Sequence, residues 1–386
     1  MDPVIIIGTG IAAYTLAREF RKLDASTPLL LITADDGHSY SKPMLSNALT
    51  KGKTAQQLVM FEADQMAERL NAKIMSYTIV KALTPQTHSI ILSDGQILKY
   101  SKLVLALGAK SISIPFAGNA TQDILSVNSR VDYTLFREKL LNAKRVAIIG
   151  PGLIGCEFAN DLLNVGIAVS IIGPNKEPLD NLLPEIFAKD LRKQLQNIGA
   201  DWHLTADVQA INSTDHDSYL LSMDNGDTLE ADLVLSAVGL RPNIDLAHDA
   251  GLSVNRGIMT DIYLQTSAND IYAIGDCAEV NGHNLLFIAP IIECAKALAH
   301  TLTDTNTAVS YPAMPVAIKT PVYPLVVALP PPNTQGNWQF KLAESGFGYK
   351  GLFIAENDEL LGFILSADMV SEKKQLTSQL APLFSS

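Results

Sequence analysis

The sequence has few cysteines and no long apolar run, and each absence excludes a class of protein. Its three cysteines form no CxxC pair, so neither a zinc knuckle nor a redox disulfide between sequence neighbours is predicted. We expect Cys156, Cys277 and Cys294 to be buried apolar residues, and we expect no metal site. The apolar stretches 285–292 and 322–332 are too short or too rich in proline to span a bilayer.

The charge of the chain disfavours nucleic acid as a partner. Its 386 residues include 29 basic and 40 acidic side chains, a formal net charge of −11, and a negative surface repels phosphate backbones. Charged residues make up 18% and hydrophobic residues 47%, which is typical of a folded protein. The length suggests roughly two to three domains. The N-terminus begins with an apolar strand and has no basic leader, so the expected location is the cytoplasm.

One pattern occurs twice in the chain. An apolar strand runs into a glycine-rich turn and a helix, then an Asp-Gly or Asn-Gly hairpin follows, and an apolar strand closes the unit at Gly108 or Gly239. The key turn residues are Gly8, Gly10 and Ala13 in the first copy and Gly150, Gly152 and Gly155 in the second. Two such βαβ units predict two bound dinucleotides, because a glycine turn at a helix N-terminus makes room for a pyrophosphate and offers it free N–H groups.

The pattern identifies candidate binding residues. The expected cofactor contacts are Gly8, Thr9, Gly10, Ile11, Ala12, Ala13, Ala34, Asp35, Val80 and Gly108 in the first unit, and Gly150, Gly152, Leu153, Ile154, Gly155 and Gly239 in the second. Asp35 lies about 20 residues past the first turn, where an acid holds a ribose hydroxyl. The second unit has no acid at its strand end, so Lys176 and Glu177 leave the choice between NADH and NADPH open.

The stretch 266–278, with Gly275 and Asp276 after a strand, resembles the second FAD motif of the pyridine nucleotide-disulfide oxidoreductase superfamily of flavoproteins. The resemblance covers essentially the whole chain. It implies an α/β fold with two Rossmann-like domains, the NAD domain inserted in the FAD domain, and a small C-terminal α+β domain. It also implies that Asp276 binds the ribityl chain of FAD.

The resemblance implies domain boundaries as well. The FAD domain would comprise 1–112 and 242–310, and the NAD(P)H domain 113–241. The C-terminal domain, 311–386, would serve as an interface or dock the electron acceptor. Within it we expect strands at 324–329 and 338–341, and a hairpin formed by 351–355 and 360–365.

The loop after the first unit distinguishes branches of this superfamily. The disulfide reductases carry a cysteine pair there, whereas residues 39–46 contain no cysteine. That loop, with Lys42-Pro43, and the later Lys319-Thr320-Pro321 resemble the reductases that feed ferredoxins and rubredoxins. The resemblance implies FAD and NADH as cofactors, hydride transfer from NADH to FAD, and transfer of single electrons to rubredoxin. Alkane hydroxylation is one process that such electrons serve.

The resemblance also implies roles for three charged residues. A lysine and a glutamate at the positions of Lys42 and Glu157 meet near the flavin and the nicotinamide in similar reductases, so we predict them as an ion pair and as the catalytic residues. Lys319 lies in an apolar run and needs a partner, which we predict to be a flavin carbonyl or phosphate. The runs 37–61 and 305–343 contain no Asp or Glu, and we predict that they receive the acceptor.

Two other functions are compatible with these residues. The same two dinucleotide-binding units are compatible with a flavin-dependent reductase for another acceptor, such as ferredoxin, a nitrite reductase partner or oxygen. It also suits a flavoprotein without enzymatic activity that senses dinucleotides. Assays with purified acceptors distinguish the first alternative, and slow reoxidation in a stopped-flow experiment would indicate the second.

Overall fold

The structure, a computed structural model, describes residues 2–384. The first segment contains β1 (Val4–Ile7), α1 (Ile11–Leu23), β2 (Leu29–Ile32), β3 (Ser39–Tyr40), β4 (Val59–Phe61), α2 (Ala63–Arg69), β5 (Lys73–Met75), β6 (Val80–Thr84), β7 (Ser89–Leu92), β8 (Ile97–Lys99), β9 (Lys102–Leu105) and β10 (Ala109–Ser111). A 3₁₀ helix, Lys42–Asn47, follows β3.

The middle of the chain contains the second unit and the return to the first. Its elements are α3 (Arg130–Leu140), β11 (Arg145–Ile149), α4 (Leu153–Asn164), β12 (Ala168–Gly173), α5 (Glu185–Asn197), β13 (Ala200–Leu204), β14 (Val208–Ser213), β15 (Tyr219–Met223), β16 (Thr228–Ala231), β17 (Leu233–Ser236), β18 (Leu240–Pro242), α6 (Asp245–Asp249), β19 (Ile258–Thr260), β20 (Ile271–Ala273), β21 (Ala278–Val280) and α7 (Ile288–Leu302). The C-terminal elements are β22 (Val316–Ile318), β23 (Leu325–Ala328), β24 (Asn337–Leu342), β25 (Tyr349–Ile354), β26 (Leu360–Ser366) and α8 (Lys373–Thr377).

Two parallel sheets carry the two glycine turns. The first has the strand order β20-β9-β1-β2-β5 and the second β13-β12-β11-β17. All neighbouring strands in both sheets run parallel. Every residue of β1 is apolar and buried, as expected for a strand covered on both faces. Because β20 follows the second sheet in the chain yet completes the first, the second unit is inserted in the first, as predicted. The exact domain boundaries stay a prediction.

Antiparallel hairpins extend both units. The sheets β6-β7-β8 and β14-β15-β16 contain the predicted Asp-Gly and Asn-Gly turns. Gly95 and Gly226 in these turns both have a φ of +88°, the left-handed conformation that such hairpins require. β10 and β18 pair antiparallel and so form a two-stranded link between the two units.

The C-terminal segment forms one antiparallel sheet with the order β22-β23-β26-β25-β24. Its strands confirm the predictions for this segment. Ile318 and Leu325 share a hydrophobic core with Leu45, from the loop of the first unit, and with Phe158 on α4. The C-terminal sheet is therefore packed against both dinucleotide units. Within residues 2–384, no helix combines the length and the apolar character that crossing a membrane requires.

Candidate dinucleotide and electron-transfer site

The first glycine turn connects β1 to α1. Gly8 has a φ of +119°, and a Cβ at this position would lie 2.3 Å from the carbonyl oxygen of Ala106, so the turn approaches the end of β9 too closely for any side chain. Gly10 is the N-cap of α1, and a Cβ there would meet nothing within 4 Å. Open space at a helix N-terminus with free N–H groups fits the pyrophosphate of a dinucleotide.

Asp35 has one engaged carboxylate oxygen and one free oxygen. Its Oδ1 accepts hydrogen bonds from Thr33 Oγ1 at 2.7 Å, from Gly37 N at 3.0 Å and from Thr9 Oγ1 at 3.3 Å. Its Oδ2 accepts none from the residues that the structure describes. Thr9 thus connects the acid to the glycine turn, and the free oxygen is available to a ribose hydroxyl. This ribose contact stays a prediction.

Other predicted residues of the first unit surround the same turn. They are Ile11, Ala12 and Ala13 on α1, Ala34 just after β2, and Val80 at the start of β6. The start of β6 lies beside the end of β2, because Thr78 N donates to the carbonyl of Thr33 at 2.8 Å. The structure therefore places these residues near the carboxyl ends of β1 and β2, and their contacts with a cofactor stay a prediction.

The second FAD motif packs directly on this turn. A Cβ on Gly275 would lie 2.7 Å from Cβ of Ala12, so Asp276 is held near the N-terminal end of α1. Burial raises the pKa of the Asp276 carboxyl, and Lys42 opposes that shift. Burial lowers the pKa of Lys42, and Asp276 is the main charge that opposes this shift. Neither side chain has a hydrogen-bond partner among residues 2–384. Two partly buried charged groups without hydrogen-bond partners among these residues fit a polar ligand such as a flavin.

Gly108 and Gly239 flank the link between the units. Gly108 has a φ of +67°, and a Cβ there would meet nothing within 4 Å. The carbonyl of Gly108 accepts from Asn243 N, and that of Gly239 from Ile112 N, both at 3.0 Å. The two glycines that end the repeated units therefore lie at the crossing points of the chain, β10 and β18.

The second glycine turn has the same construction as the first. A Cβ on Gly155 would lie 2.0 Å from the carbonyl oxygen of Gly150, so α4 packs on β11 only with glycine at this position. Gly152 is the N-cap of α4, and a Cβ there would meet nothing within 4 Å. Leu153 and Ile154 form the first turn of α4, and Ile154 is exposed. The space above Gly152 fits a second pyrophosphate.

The acid of the second unit lies in the loop after β12. Glu177 is buried, and its Oε2 lies 3.2 Å from Nε of Arg192. This loop packs on the glycine turn, because Leu179 N donates to the carbonyl of Pro151 at 3.0 Å. Lys176 is exposed. The loop therefore holds an ion pair, Glu177 with Arg192, beside the second glycine turn.

Glu157 has a different partner from the one predicted. Its side chain is fully buried, and Oε2 lies 2.8 Å from Nζ of Lys319. Ser46 Oγ donates to Oε2 at 2.5 Å, and the backbone N–H of Lys319 donates to Oε1 at 2.9 Å. The predicted ion pair between Lys42 and Glu157 is therefore wrong. The turn after β22 brings Lys319 against α4, where it pairs with Glu157. Lys42 lies elsewhere, and the charge that most favours its ionised form is Asp276.

Lys319 has protein partners that were not predicted from the sequence. We expected a flavin carbonyl or phosphate to be its partner, but Nζ donates to Ser46 Oγ at 2.9 Å and to the carbonyl of Pro43, besides its salt bridge with Glu157. A lysine in an apolar run does have partners here, and they are protein groups. The contacts of Lys42, Glu157 and Lys319 with bound cofactors stay predictions.

Two further polar residues on α4 were not predicted from the sequence. Asn160 Oδ1 accepts from a backbone N–H of the C-terminal domain at 3.1 Å. Asp161 accepts from Leu49 N at 2.9 Å and from Thr50 N at 2.8 Å. With Glu157 they have the i, i+3, i+4 spacing of one helix face. The available signal was that all the polar side chains of this helix, Asn164 included, lie on one face. This face contacts residues 46–50, in the loop of the first unit, and the C-terminal domain. We call these contacts the α4 junction.

The three cysteines are free and buried, as predicted. Burial raises the pKa of Cys277 to about 11 and the pKa of Cys156 and of Cys294 to about 12. All three side chains are therefore neutral thiols at pH 7, and a neutral thiol is a poor nucleophile.

Comparisons with known proteins agree with this geometry. Residues 2–305 match the family model described as pyridine nucleotide-disulphide oxidoreductase, and residues 308–380 match the rubredoxin binding C-terminal domain. The chain is 46% identical to the rubredoxin-NAD(+) reductase of Acinetobacter baylyi, over 99% of this chain and 98% of the relative. It is 44% identical to the rubredoxin-NAD(+) reductase of Alcanivorax borkumensis, over 98% of this chain and 99% of the relative. The NADH:rubredoxin oxidoreductase of Clostridium acetobutylicum shares the fold, with a TM-score of 0.80 and 21% identity over 98% of this chain and 94% of that one.

Proposed function

Because the chain belongs to the pyridine nucleotide-disulphide oxidoreductase family, we propose that it is an FAD-dependent reductase that takes a hydride from NADH and passes single electrons to rubredoxin. The α4 junction carries this proposal. Lys319, in the segment that matches rubredoxin-binding domains, contacts Glu157 on the helix of the second unit and Ser46 in the loop of the first. Bound FAD supplies the redox chemistry, since a flavin accepts a hydride and releases electrons one at a time.

The residues of the chain hold the two dinucleotides. The turns at Gly10 and Gly152 leave space for the pyrophosphates at helix N-termini. Asp35 offers a free oxygen to a ribose hydroxyl, and Asp276 offers a carboxylate to the polyol of FAD. Lys42 is partly buried, and its positive charge would stabilise negative charge on the ring system of the flavin.

The α4 junction orients these parts relative to one another. Asp161 binds the backbone of the loop that follows Lys42, and Glu157 binds Ser46 in the same loop. The nicotinamide subsite next to α4 and the loop of the FAD unit are thereby held in one arrangement. Fixed geometry of this kind lowers the entropic cost of bringing donor and acceptor to reacting distance.

The exit of electrons does not need a thiol relay in this proposal. The three cysteines are buried and neutral, so the electrons pass directly to the iron carrier. We also propose that the protein works in the cytoplasm, where unpaired thiols stay reduced. Supply of electrons for alkane hydroxylation stays a prediction from the resemblance.

An anaerobic titration tests the proposal. The purified protein is expected to bind FAD and show a flavin absorbance spectrum, which NADH bleaches at much lower concentration than NADPH does. Oxidised rubredoxin then restores the spectrum faster than ferredoxin or oxygen. A protein that takes up no FAD would overturn the proposal. So would one whose reduced form reacts equally slowly with every acceptor, which is the behaviour of a dinucleotide sensor.

A further inference from the structure

Two acid-free segments that are distant in the sequence contact each other. Residues 37–61 and 305–343 contain no Asp or Glu, in a chain of net charge −11. Lys319 in the second segment donates to Ser46 Oγ at 2.9 Å and to the carbonyl of Pro43 in the first. The loop of the FAD unit is therefore continuous with the domain that matches rubredoxin-binding domains.

Three cations beside this contact lack an acidic partner. Lys51 and Lys53 are exposed, and Nζ of Lys51 lies 3.6 Å from Sδ of Met44. Nη1 of Arg137 donates to the carbonyl of Lys53 at 3.0 Å, so its guanidinium lies beside the lysine loop. None of these three cations forms a salt bridge in the part of the chain from 2 to 384. We call Lys51, Lys53 and Arg137 the basic rim.

The charge of the proposed acceptor complements the basic rim. An iron ion held by four thiolates is anionic in both oxidation states, because four negative ligands outnumber the charge of ferric or ferrous iron. An anionic redox centre is repelled by a chain that is acidic overall. A local patch of unpaired cations removes this repulsion at one place and raises the rate of productive encounters.

On the basis of the proposed function, we propose that rubredoxin docks on the basic rim and on the adjoining part of the C-terminal domain near Lys319. Lys51, Lys53 and Arg137 attract the iron site, and residues 37–61 and 305–343 add no repulsive carboxylate to the adjoining surface. The attraction acts mainly on the association rate, and salt screens it because the cations are in contact with solvent.

Charge reversal of the rim tests this surface. The FAD-loaded K51E/K53E variant is reduced with NADH and mixed with oxidised rubredoxin in a stopped-flow instrument. At low ionic strength its second-order rate constant is expected to fall by about tenfold or more, since steering of this kind changes association rates by 10–10³. The loss is expected to shrink as salt is added. The preceding reduction of bound FAD by NADH shows in the same experiment that the variant is folded and loaded.

The K81E/K99E variant is the matched control. It makes the same charge change at exposed lysines of the β6-β7-β8 sheet, and it is expected to keep the wild-type rate constant with rubredoxin. A variant with glutamine at both rim positions, K51Q/K53Q, is expected to fall between the wild type and the charge reversal.

The outcomes distinguish a failure of the docking surface from a failure of the proposed function. Equal rate constants for K51E/K53E and the wild type at low salt would overturn the docking surface and leave the reductase activity standing. An equal loss in K81E/K99E would also overturn it, because net charge and not the rim would then control the rate. A wild-type protein that fails to reduce rubredoxin would overturn both proposals.

Discussion

Replacement of Lys319 by methionine tests the α4 junction. The Glu157 side chain is fully buried and that of Lys319 is 32% exposed, with 2.8 Å between their charged atoms. Removal of one partner of a buried pair costs about 3–5 kcal/mol, because the other charge stays buried without a counter-ion. Two features reduce this cost. Part of the Lys319 side chain is in water, and Glu157 keeps its hydrogen bonds from Ser46 Oγ and from the backbone at position 319. We therefore expect K319M to lose about 2 kcal/mol of unfolding free energy.

Thermal unfolding of the FAD-loaded protein measures this loss. A cooperative unit of 150–250 residues loses about 2–4 °C of Tm per kcal/mol, so K319M is expected to unfold about 4–8 °C below the wild type. E157Q is expected to lose less, because Lys319 keeps Pro43 and Ser46 as acceptors and part of its side chain is in water. The double variant K319M/E157Q is expected to recover part of the loss, since a glutamine needs no counter-ion.

Lys341 provides the matched control for this experiment. It is an exposed lysine in the same C-terminal sheet and has no salt bridge with the residues that the structure describes. K341M is expected to keep the wild-type Tm. A K319M variant with the Tm of K341M would refute the reasoning, because the buried pair would then contribute nothing to stability.

Two further variants test the glycine turns and the second FAD motif. In G155A the added Cβ would meet the carbonyl oxygen of Gly150 at 2.0 Å, and such overpacking costs about 1–3 kcal/mol, so both a lower Tm and a higher KM for NADH are expected. The matched change G152A adds a Cβ in open space and is expected to raise the KM for NADH without a change in Tm. An unaltered Tm in G155A would contradict the close packing of α4 on the Gly150 turn. Burial raises the pKa of the Asp276 carboxyl above 3.8, so this carboxyl binds its proton more tightly in the folded FAD-free protein than in the unfolded chain. The stability of the FAD-free protein therefore falls as the pH rises from 3.8 through the raised pKa. D276N is expected to remove that decrease in urea unfolding of the FAD-free protein measured over a series of pH values, and an identical pH profile for D276N and the wild type would contradict the burial of this charge.

The frame of the fold could be predicted because it depends on local rules. A buried apolar strand, a glycine turn and a helix occur within about ten residues, and the close approach of Gly8 to β9 explains why glycine stands there. The hairpins at Gly95 and Gly226 follow from two-residue turn chemistry. The insertion of one unit in the other has no local signal, and it was available only through the resemblance to a family.

The partners of the charged site residues could not be predicted because they depend on contacts between distant segments. Helix-dipole compensation is a sufficient local reason for an acid on the first turn of α4, so Glu157 alone does not indicate its cation. Ser46, Glu157 and Lys319 come from three segments more than 100 residues apart, and only the packed structure shows that they meet. Asn160 and Asp161 on α4 were visible in the sequence, but their partners are backbone groups, which leave no trace in side-chain patterns.

A single anaerobic turnover tests the central claim, that paired electrons from NADH leave the flavin one at a time without a thiol relay. The FAD-loaded protein is reduced with one equivalent of NADH and then titrated with oxidised rubredoxin, while the free thiols of the denatured protein are counted at each stage. We expect two rubredoxins to be reduced per NADH and the three thiols of Cys156, Cys277 and Cys294 to persist throughout. The loss of a thiol during turnover, or the reduction of no rubredoxin by the reduced flavin, would contradict the account.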